Sequence, residues 1–302
     1  MNSPIRPTTF IEMPRLAHKL GLASLTLATE TFQWTGSFKF RAAYEVASNV
    51  DQPLLIAASS GNFGQALAYA CFLLGKQCII VMPGTSAAVK MQAVVEYGGK
   101  IDLINVMKIS RGDRVAQIAA EHPEAYVASA YDDPLVIRGN ATLGREIASM
   151  PALPGIVVAP VGGGGLTSGI VAGLGDAGKD IQVIGAEPLM ANDAARSLRA
   201  GELIANETEP QTIADGARTV SLGKHNWAIL QHGLAGIVEV PEDQIIAGVR
   251  TLFSAANLKA EPTGALSLGA VLHSPALFKD RRVCCVISGG NVDPALYAKL
   301  IG

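Results

Sequence analysis

Four consecutive glycines, Gly162 to Gly165, restrict the fold and the ligand of this chain more than any other feature. They lie between an apolar segment, residues 156–161, which predicts a buried strand, and a segment from Leu166 that predicts a helix. A turn made only of glycine lets several backbone N–H groups approach an anion, and the positive end of the helix dipole adds to the attraction. The junction therefore predicts a phosphate site, with a simple tight turn as the alternative.

The surrounding sequence alternates between short apolar strands and amphipathic helices from about residue 54. The predicted strands comprise residues 54–59, 77–82, 101–105, 125–129, 156–161, 181–186, 237–240 and 283–288. The predicted helices comprise residues 62–74, 87–97, 111–121, 134–149, 191–201, 226–231 and 241–256, and one that starts at 166. Short apolar strands separated by helices predict an α/β fold with parallel sheets covered on both faces. A length of 302 residues suits two such sheets, and hence two domains, better than one.

The composition excludes several classes of protein. With 49% hydrophobic and 17% charged residues, the chain is expected to be globular and well packed. A net charge of -2 gives no reason to expect nucleic acid or an anionic membrane as a partner. The five histidines lack the spacing of a catalytic zinc site. The four cysteines form no C-x-x-C pair, and the first residues lack the apolar core of a signal peptide. We therefore expect a cytoplasmic protein with buried, reduced cysteines.

Lys39 is the first candidate for covalent chemistry, in the segment Thr35-Gly36-Ser37-Phe38-Lys39-Phe40-Arg41. It stands at the predicted start of a helix, where the positive end of the dipole disfavours the charged amine and lowers its pKa. A neutral amine can form a Schiff base with an aldehyde cofactor. A solvated surface lysine is the alternative, and the flanking aromatic residues argue against it.

Two more strand ends have polar side chains. Ser59, Ser60 and Asn62 occupy a strand-to-helix junction, where side chains and free N–H groups can form a carboxylate pocket. A helix N-cap by Ser60 or Asn62 is the alternative there. Ser288 follows the last strand in Ser288-Gly289-Gly290-Asn291, and its hydroxyl could bond a ring nitrogen without protonating it. A turn is the alternative for that segment.

The order and spacing of these four motifs closely resemble the serine/threonine dehydratase and serine racemase group of fold-type II pyridoxal phosphate enzymes. The resemblance extends over nearly the whole chain and includes Tyr131-Asp132-Asp133-Pro134, Ala214-Asp215-Gly216 and Glu261-Pro262-Thr263-Gly264. It implies the tryptophan synthase β-like architecture, with two domains that each contain a parallel sheet. Residues 1–53 and 135–302 would form the large cofactor-binding domain, and residues 54–134 a small mobile domain. A homodimer acting on a small amino-acid substrate is also implied.

The resemblance also implies which residues hold pyridoxal 5'-phosphate. They are Phe38, Lys39, Asn62, Gly162, Gly163, Gly164, Gly165, Leu166 and Ser288. Lys39 would bind the cofactor covalently and later act as the base at Cα, and Phe38 would pack on the ring. Asn62 would bond the ring hydroxyl, Ser288 would face the pyridine nitrogen, and the glycine run with Leu166 would surround the phosphate.

The substrate carboxylate would lie at Ser59, Ser60 and Asn62, with Phe63 beside the substrate. A hydroxyl at Ser288, rather than an acid, leaves the ring a weaker electron sink, which favours rapid loss of a β-substituent. The phosphate could donate the proton that lets hydroxide leave as water. The leading hypothesis is therefore an ammonia-lyase that converts an L-β-hydroxyamino acid to a 2-oxo acid and ammonia.

Two positions keep the substrate and the outcome open. Phe63 replaces the histidine usual in relatives, and an apolar wall there would suit a bulky β-substituent such as the aryl group of phenylserine. Compensated drift is the alternative. Ser60 matches the serine that serves racemases as the acid on the face opposite the lysine. Hydroxyaspartate dehydratases of the same group also carry this serine, so it does not decide between the two activities. An amino-acid racemase with side dehydratase activity is thus the close rival.

A divalent metal site is implied at Glu187, the carbonyl of Ala191 and Asp193, by resemblance to eukaryotic serine racemases. Two carboxylates and a carbonyl suit Mg²⁺ or Ca²⁺. A surface loop with two solvated acids is the alternative.

Two hypotheses from other classes are weaker. A dinucleotide-binding oxidoreductase would use Glu187 as its ribose-binding acid, but residues 162–169 contain no G-x-G-x-x-G spacing. A non-catalytic amino-acid sensor with the same fold is opposed by the retention of Lys39.

Overall fold

The computed structural model describes residues 4–59, 61–86 and 88–302. Its strands are Thr9–Glu12 (β1), Ser24–Thr29 (β2), Leu54–Ala58 (β3), Gln77–Pro83 (β4), Lys100–Ile104 (β5), Tyr126–Val127 (β6), Ile156–Pro160 (β7), Gln182–Pro188 (β8), Gly236–Val240 (β9) and Arg282–Ile287 (β10). Its helices are Pro14–Leu20 (α1), Lys39–Asn49 (α2), Asn62–Leu74 (α3), Ala88–Glu96 (α4), Arg111–Glu121 (α5), Pro134–Ala148 (α6), Gly165–Asp176 (α7), Asp193–Ala200 (α8), Lys224–Gly233 (α9), Glu242–Ala256 (α10), Pro262–His273 (α11), Pro275–Phe278 (α12) and Pro294–Ile301 (α13). Short 3-10 turns cover Trp34–Gly36, Leu189–Ala191 and Asp215–Ala217.

The strands form two separate sheets. The first has six strands in the order β1-β2-β10-β7-β8-β9, and the second has four in the order β5-β4-β3-β6. All strands of the second sheet are parallel, and they lie within the segment predicted for the smaller domain. The predicted α/β class with two parallel-sheet-containing domains is confirmed, whereas the exact domain boundaries stay a prediction.

Strand β1 corrects the expectation of purely parallel sheets. It pairs antiparallel with β2, while the other neighbours in the first sheet pair in parallel. β1 is a four-residue edge strand whose residues are alternately half-buried and exposed. An edge strand of this kind lacks the continuous apolar run of a central parallel strand, so it gave no strand signal in the sequence.

The sequence analysis did not predict helix α11, because this helix is buried on all its faces. Ten of its residues are buried, from Pro262 to Val271, so it has no polar stripe to mark a helical period. It packs in the core of the first sheet, where Leu266 and Leu268 join Val158 and Ile287 in one apolar cluster. By contrast, the predicted limits of α3 and α5 match the structure.

The second sheet has its own core, formed where α2 and α3 cover it. Phe40, Leu67 and Ile80 belong to this cluster. All four cysteines are buried and unpaired, as the sequence predicted. In the described part of the chain, none of the helices has the length and apolarity needed to cross a membrane.

Candidate active site

The residues predicted from the four motifs border one cavity of about 880 Å³. They are Phe38, Lys39, Ser59, Asn62, Phe63, Gly162, Gly163, Gly164, Gly165, Leu166 and Ser288. Most follow the carboxyl ends of β3, β7 and β10, the edge at which parallel sheets usually bind ligands. Ser60 lies outside the described residues. A second cavity, of about 1080 Å³ between α1 and α6, contains none of the predicted side chains.

The glycine run forms an open backbone loop at the start of α7. Gly164 is the helix N-cap and adopts a φ of 92°, the left-handed region that favours glycine. A Cβ atom on Gly163 would lie 2.2 Å from Cδ2 of Tyr131, and one on Gly165 would lie 2.7 Å from the Tyr131 carbonyl oxygen. Side chains are therefore excluded from this loop by close packing as well as by backbone conformation.

The carbonyl of Gly163 is already engaged within the protein. It accepts hydrogen bonds from Nδ2 of Asn226 at 2.7 Å and from the backbone N–H of Gly223 at 3.0 Å. The first N–H groups of a helix lack intrahelical acceptors, and those at the start of α7 border the cavity. Amide donors and the helix dipole thus point to an anion, so the residues present fit a phosphate group.

Lys39 is the first residue of α2, and the end of β10 fixes its position. The backbone N–H of Phe38 donates to the carbonyl of Ser288 at 3.0 Å, and Ser37 forms a β-bridge with Gly289. The Ser288 side chain is 1% exposed. Lys39 and Ser288, which are far apart in sequence, are consequently held at adjacent positions of one wall.

The amine of Lys39 is enclosed by apolar rings and one carbonyl. Its Nζ donates to the carbonyl of Ala130 at 2.6 Å and lies 5.1 Å and 5.7 Å from the ring centroids of Phe38 and Phe63. Burial lowers the pKa of Lys39 to about 8, and the negative charge of Glu261 opposes part of that shift. Burial is thus a cause of the lowered pKa that the sequence did not show, and it increases the neutral fraction at neutral pH.

Glu261 is a site residue to which the sequence analysis gave no role. Its carboxylate accepts a hydrogen bond from Nδ2 of Asn62 at 2.7 Å, and Nδ2 of Asn291 donates to Oδ1 of Asn62 at 2.8 Å. Burial raises the pKa of Glu261 to about 8, with a further contribution from Asp215. The sequence signal that could have indicated a role for Glu261 is an acid in an apolar stretch, directly before Pro262 at the start of a helix.

Ser59 serves the start of α3 as an acceptor. Its hydroxyl accepts the N–H of Gly64 at 3.0 Å and that of Gly61 at 3.4 Å. The N-cap residue is Gly61 and Asn62 does not cap, so the capping alternative applies to Ser59 instead. Because the hydroxyl uses its lone pairs in this way, its own hydrogen remains available to a ligand.

The proposed metal residues are buried and lie outside the cavity. Glu187 and Asp193 are each 1% exposed, which contradicts the alternative of solvated surface acids. Both oxygens of Glu187 accept backbone N–H groups, from Ala194 at 2.9 Å and Ala195 at 2.8 Å. Oδ2 of Asp193 is buried and has no hydrogen-bond partner among the described residues, and Ala191 ends a 3-10 turn between the two acids. The described residues contain no cluster of three or more His, Cys, Asp or Glu suited to a metal.

Comparisons with known proteins agree with this geometry. A family model described as "Pyridoxal-phosphate dependent enzyme" matches residues 1–289. The chain is 33% identical to an L-threo-3-hydroxyaspartate ammonia-lyase of Pseudomonas sp, over 92% of this chain and 88% of that protein. It is 35% identical to the serine racemase of Mus musculus, over 89% and 82%.

A similar solved structure is a threonine deaminase from T.th., with a TM-score of 0.90 and 37% identity, covering 96% of this chain and 94% of that one. The serine racemase of Dictyostelium discoideum gives a TM-score of 0.87 at 31% identity, with coverage of 96% and 94%. The family model spans nearly the whole chain, and a buried lysine borders the same cavity as the glycine run. This chain therefore belongs to the family of pyridoxal-phosphate dependent enzymes.

Proposed function

We propose that this protein is an ammonia-lyase that converts an L-β-hydroxyamino acid to a 2-oxo acid and ammonia. The observation that most supports it is the buried amine of Lys39, in one cavity with the glycine cradle and the amides at the start of α3. Pyridoxal phosphate, when bound, supplies an electron sink for the charge that develops at Cα. Relatives with this overall match are named L-threo-3-hydroxyaspartate ammonia-lyase and threonine deaminase.

The chain's own groups would position the cofactor. The N–H groups of Gly162, Gly163, Gly164, Gly165 and Leu166 would hold the phosphate at the start of α7. The ring of Phe38 would pack against the cofactor ring, and the amide of Asn62, already oriented by Glu261, would bind its hydroxyl. Ser288 would offer a neutral hydroxyl to the ring nitrogen.

Lys39 would then move the proton that the reaction requires. With a pKa near 8, its Nζ can accept a proton from Cα at neutral pH, which an ordinary lysine does poorly. The hydroxyl of Ser59 and the free amides of α3 would bind the substrate carboxylate and orient Cα toward that amine. Loss of water from the substrate, followed by hydrolysis of the released enamine, gives the 2-oxo acid and ammonia.

Two finer possibilities belong to the same proposal. Phe63 lines the cavity and is 1% exposed, so its ring forms an apolar wall that supports a bulky substituent such as that of phenylserine. Preference for phenylserine and preference for a dicarboxylic substrate are alternatives, and the relative rates with the two substrates decide between them. A racemase with side dehydratase activity is the second candidate function, supported by the match to serine racemases. It would need Ser60 as the acid on the face opposite Lys39.

A substrate panel tests these proposals. Purified holoenzyme is incubated with L-serine, L-threonine, L-threo-3-hydroxyaspartate and L-phenylserine, and both 2-oxo acid and D-enantiomer are measured over time. Release of 2-oxo acid without D-enantiomer is the expected result. Formation of D-enantiomer without 2-oxo acid would favour the racemase, and no product from any substrate would refute the proposed function.

The glycine cradle gives a first mutational prediction. Gly163→Ala forces a methyl group against the Tyr131 ring, so we expect it to weaken pyridoxal phosphate binding by about 10- to 100-fold. Dialysis followed by cofactor titration measures this change. Gly175→Ala is the matched control, because a Cβ there meets no atom within 4 Å. Equal cofactor affinity in the two variants would contradict the assigned phosphate site.

A divalent cation is proposed at Glu187, Ala191 and Asp193. Two buried carboxylates and the unpartnered Oδ2 of Asp193 support this proposal. We expect 1 mM Mg²⁺ or Ca²⁺ to raise the melting temperature of EDTA-treated protein by a few degrees, because binding to the folded state adds about 1–2 kcal/mol to the free energy of unfolding. Asp193→Asn should abolish that increase. Asp176→Asn, which changes an exposed acid, is the control and should keep it.

We further propose a cytoplasmic homodimer. Four buried and unpaired cysteines fit a reducing compartment. Light scattering of the purified holoenzyme measures the mass, and a monomer at micromolar concentration would refute the dimer.

A further inference from the structure

One basic side chain of the cavity lacks a neutralising partner. Besides Lys39, the cavity is bordered by Lys90, Arg111 and Arg218. Lys90 pairs with Asp215, and Arg111 pairs with Glu209 at 2.7 Å. Within residues 4–59, 61–86 and 88–302, Arg218 forms no ion pair with any carboxylate. Its positive charge therefore faces the cavity uncompensated, which favours an anionic ligand.

A hydrogen bond of its side chain and the packing of the preceding turn fix the position of Arg218. Its Nε donates to the carbonyl of Thr212 at 2.7 Å, and Thr212 is itself 1% exposed. Arg218 directly follows the 3-10 turn Asp215–Ala217, which packs against the glycine cradle. A Cβ on Gly162 would lie only 3.0 Å from Cα of Ala217. The guanidinium group is thus anchored through Nε at the border of the cavity, while Nη1 and Nη2 have no acceptor among the described residues.

Two hydroxyl groups of the same cavity also lack partners. Oγ1 of Thr219, the residue after Arg218, and Oγ of Ser86 are buried and form no hydrogen bond with the part of the chain that the structure describes. A buried hydroxyl without a partner is unfavourable unless a ligand or water satisfies it. A guanidinium fork whose two terminal nitrogens lack acceptors matches the planar geometry of a carboxylate, and the two hydroxyls border the same cavity.

We propose that Arg218, with Thr219 and Ser86, binds the second carboxylate of a dicarboxylic β-hydroxyamino acid, of the 3-hydroxyaspartate type. The proposal rests on the proposed function, since it names the substrate class of that same site. The α-carboxylate would occupy the amides at the start of α3, and the carboxylate on Cβ would reach Arg218. Water is lost in the elimination and regained in hydrolysis, so that 3-hydroxyaspartate gives oxaloacetate and ammonia.

Steady-state kinetics of three holoenzyme variants test the assignment. Arg218→Gln removes the charge, Arg218→Lys keeps it, and Arg145→Gln is a control on an exposed ion pair. We expect Arg218→Gln to lower kcat/KM for L-threo-3-hydroxyaspartate by about 10- to 100-fold, mainly through KM. The value for L-serine should stay within about threefold of wild type, and Arg218→Lys should recover part of the loss.

A binding measurement separates this proposal from the proposed function. Succinate should raise the melting temperature of wild-type holoenzyme more than butyrate does, and Arg218→Gln should abolish the difference. Four results would each overturn the assignment. In Arg218→Gln they are an equal loss of kcat/KM for both substrates, unchanged kinetics with hydroxyaspartate, and an unaltered effect of succinate on the melting temperature. In the wild type it is a preference for L-phenylserine. Should the wild type turn over no β-hydroxyamino acid, the proposed function fails, while the succinate comparison still decides the role of Arg218.

Discussion

Replacing Lys39 with alanine is expected to lower kcat by at least about 10³-fold, because in the proposed mechanism Lys39 is both the covalent link to the cofactor and the base at Cα. The fold should survive, since Lys39→Ala removes a buried amine whose one hydrogen bond among the described residues is to the carbonyl of Ala130. Turnover of the substrate panel and the visible absorbance of the covalently held cofactor measure the two losses, and circular dichroism measures the fold.

Lys108→Ala is the control for this variant, because Lys108 lies on an exposed turn and borders neither cavity. It should retain wild-type turnover and absorbance. Retention of either property in Lys39→Ala would place the covalent chemistry on another amine and contradict the proposed mechanism.

The pH dependence of cofactor uptake follows from the same amine. Burial lowers the pKa of Lys39 to about 8, so the neutral, reactive form accumulates at a lower pH than for an exposed lysine. Uptake of pyridoxal phosphate by the apoenzyme should accelerate as pH rises toward 8 and then level off. Stopped-flow absorbance measures the rate, and a continued rise up to pH 10 would contradict the assigned pKa.

The sequence predicted those parts of the site in which neighbouring residues along the chain form the whole functional feature. The run Gly162 to Gly165 and the helix start at Lys39 are of this kind, because strand, turn and helix follow each other along the chain. The resemblance to known enzymes then indicated that motifs far apart in the sequence belong to one site. Without it, Ser288 would have remained a turn residue.

The residues that were missed depend on tertiary contacts. Glu261 bonds Asn62 across 199 positions, and Arg218 borders the cavity directly after the turn Asp215–Ala217, which packs against Gly162. No periodicity in the sequence encodes such contacts. The same applies to the ion pairs Lys90–Asp215 and Arg111–Glu209, which join helices beside the second sheet to loops of the first.

The largest effect on stability is expected at Arg41, two residues after Lys39. Its guanidinium is fully buried and donates to both oxygens of Glu30, at 2.7 Å and 3.0 Å, and to Oε1 of Glu146 at 2.7 Å. It also donates to Oγ1 of Thr8 at 2.8 Å. The first turn of α2 is thereby tied to β2, to α6 and to the start of the chain.

Arg41→Met should lower the free energy of unfolding by about 3–5 kcal/mol, because it leaves the buried carboxylate of Glu30 without its cation. Urea denaturation of the apoenzyme measures the change. Adding Glu30→Gln should restore part of the loss, since the remaining charge is then removed as well. Arg145→Met, which breaks an exposed pair with Asp176, should cost at most about 1 kcal/mol. A similar cost for Arg41→Met would mean that packing, rather than this buried ion pair, fixes the helix that presents Lys39.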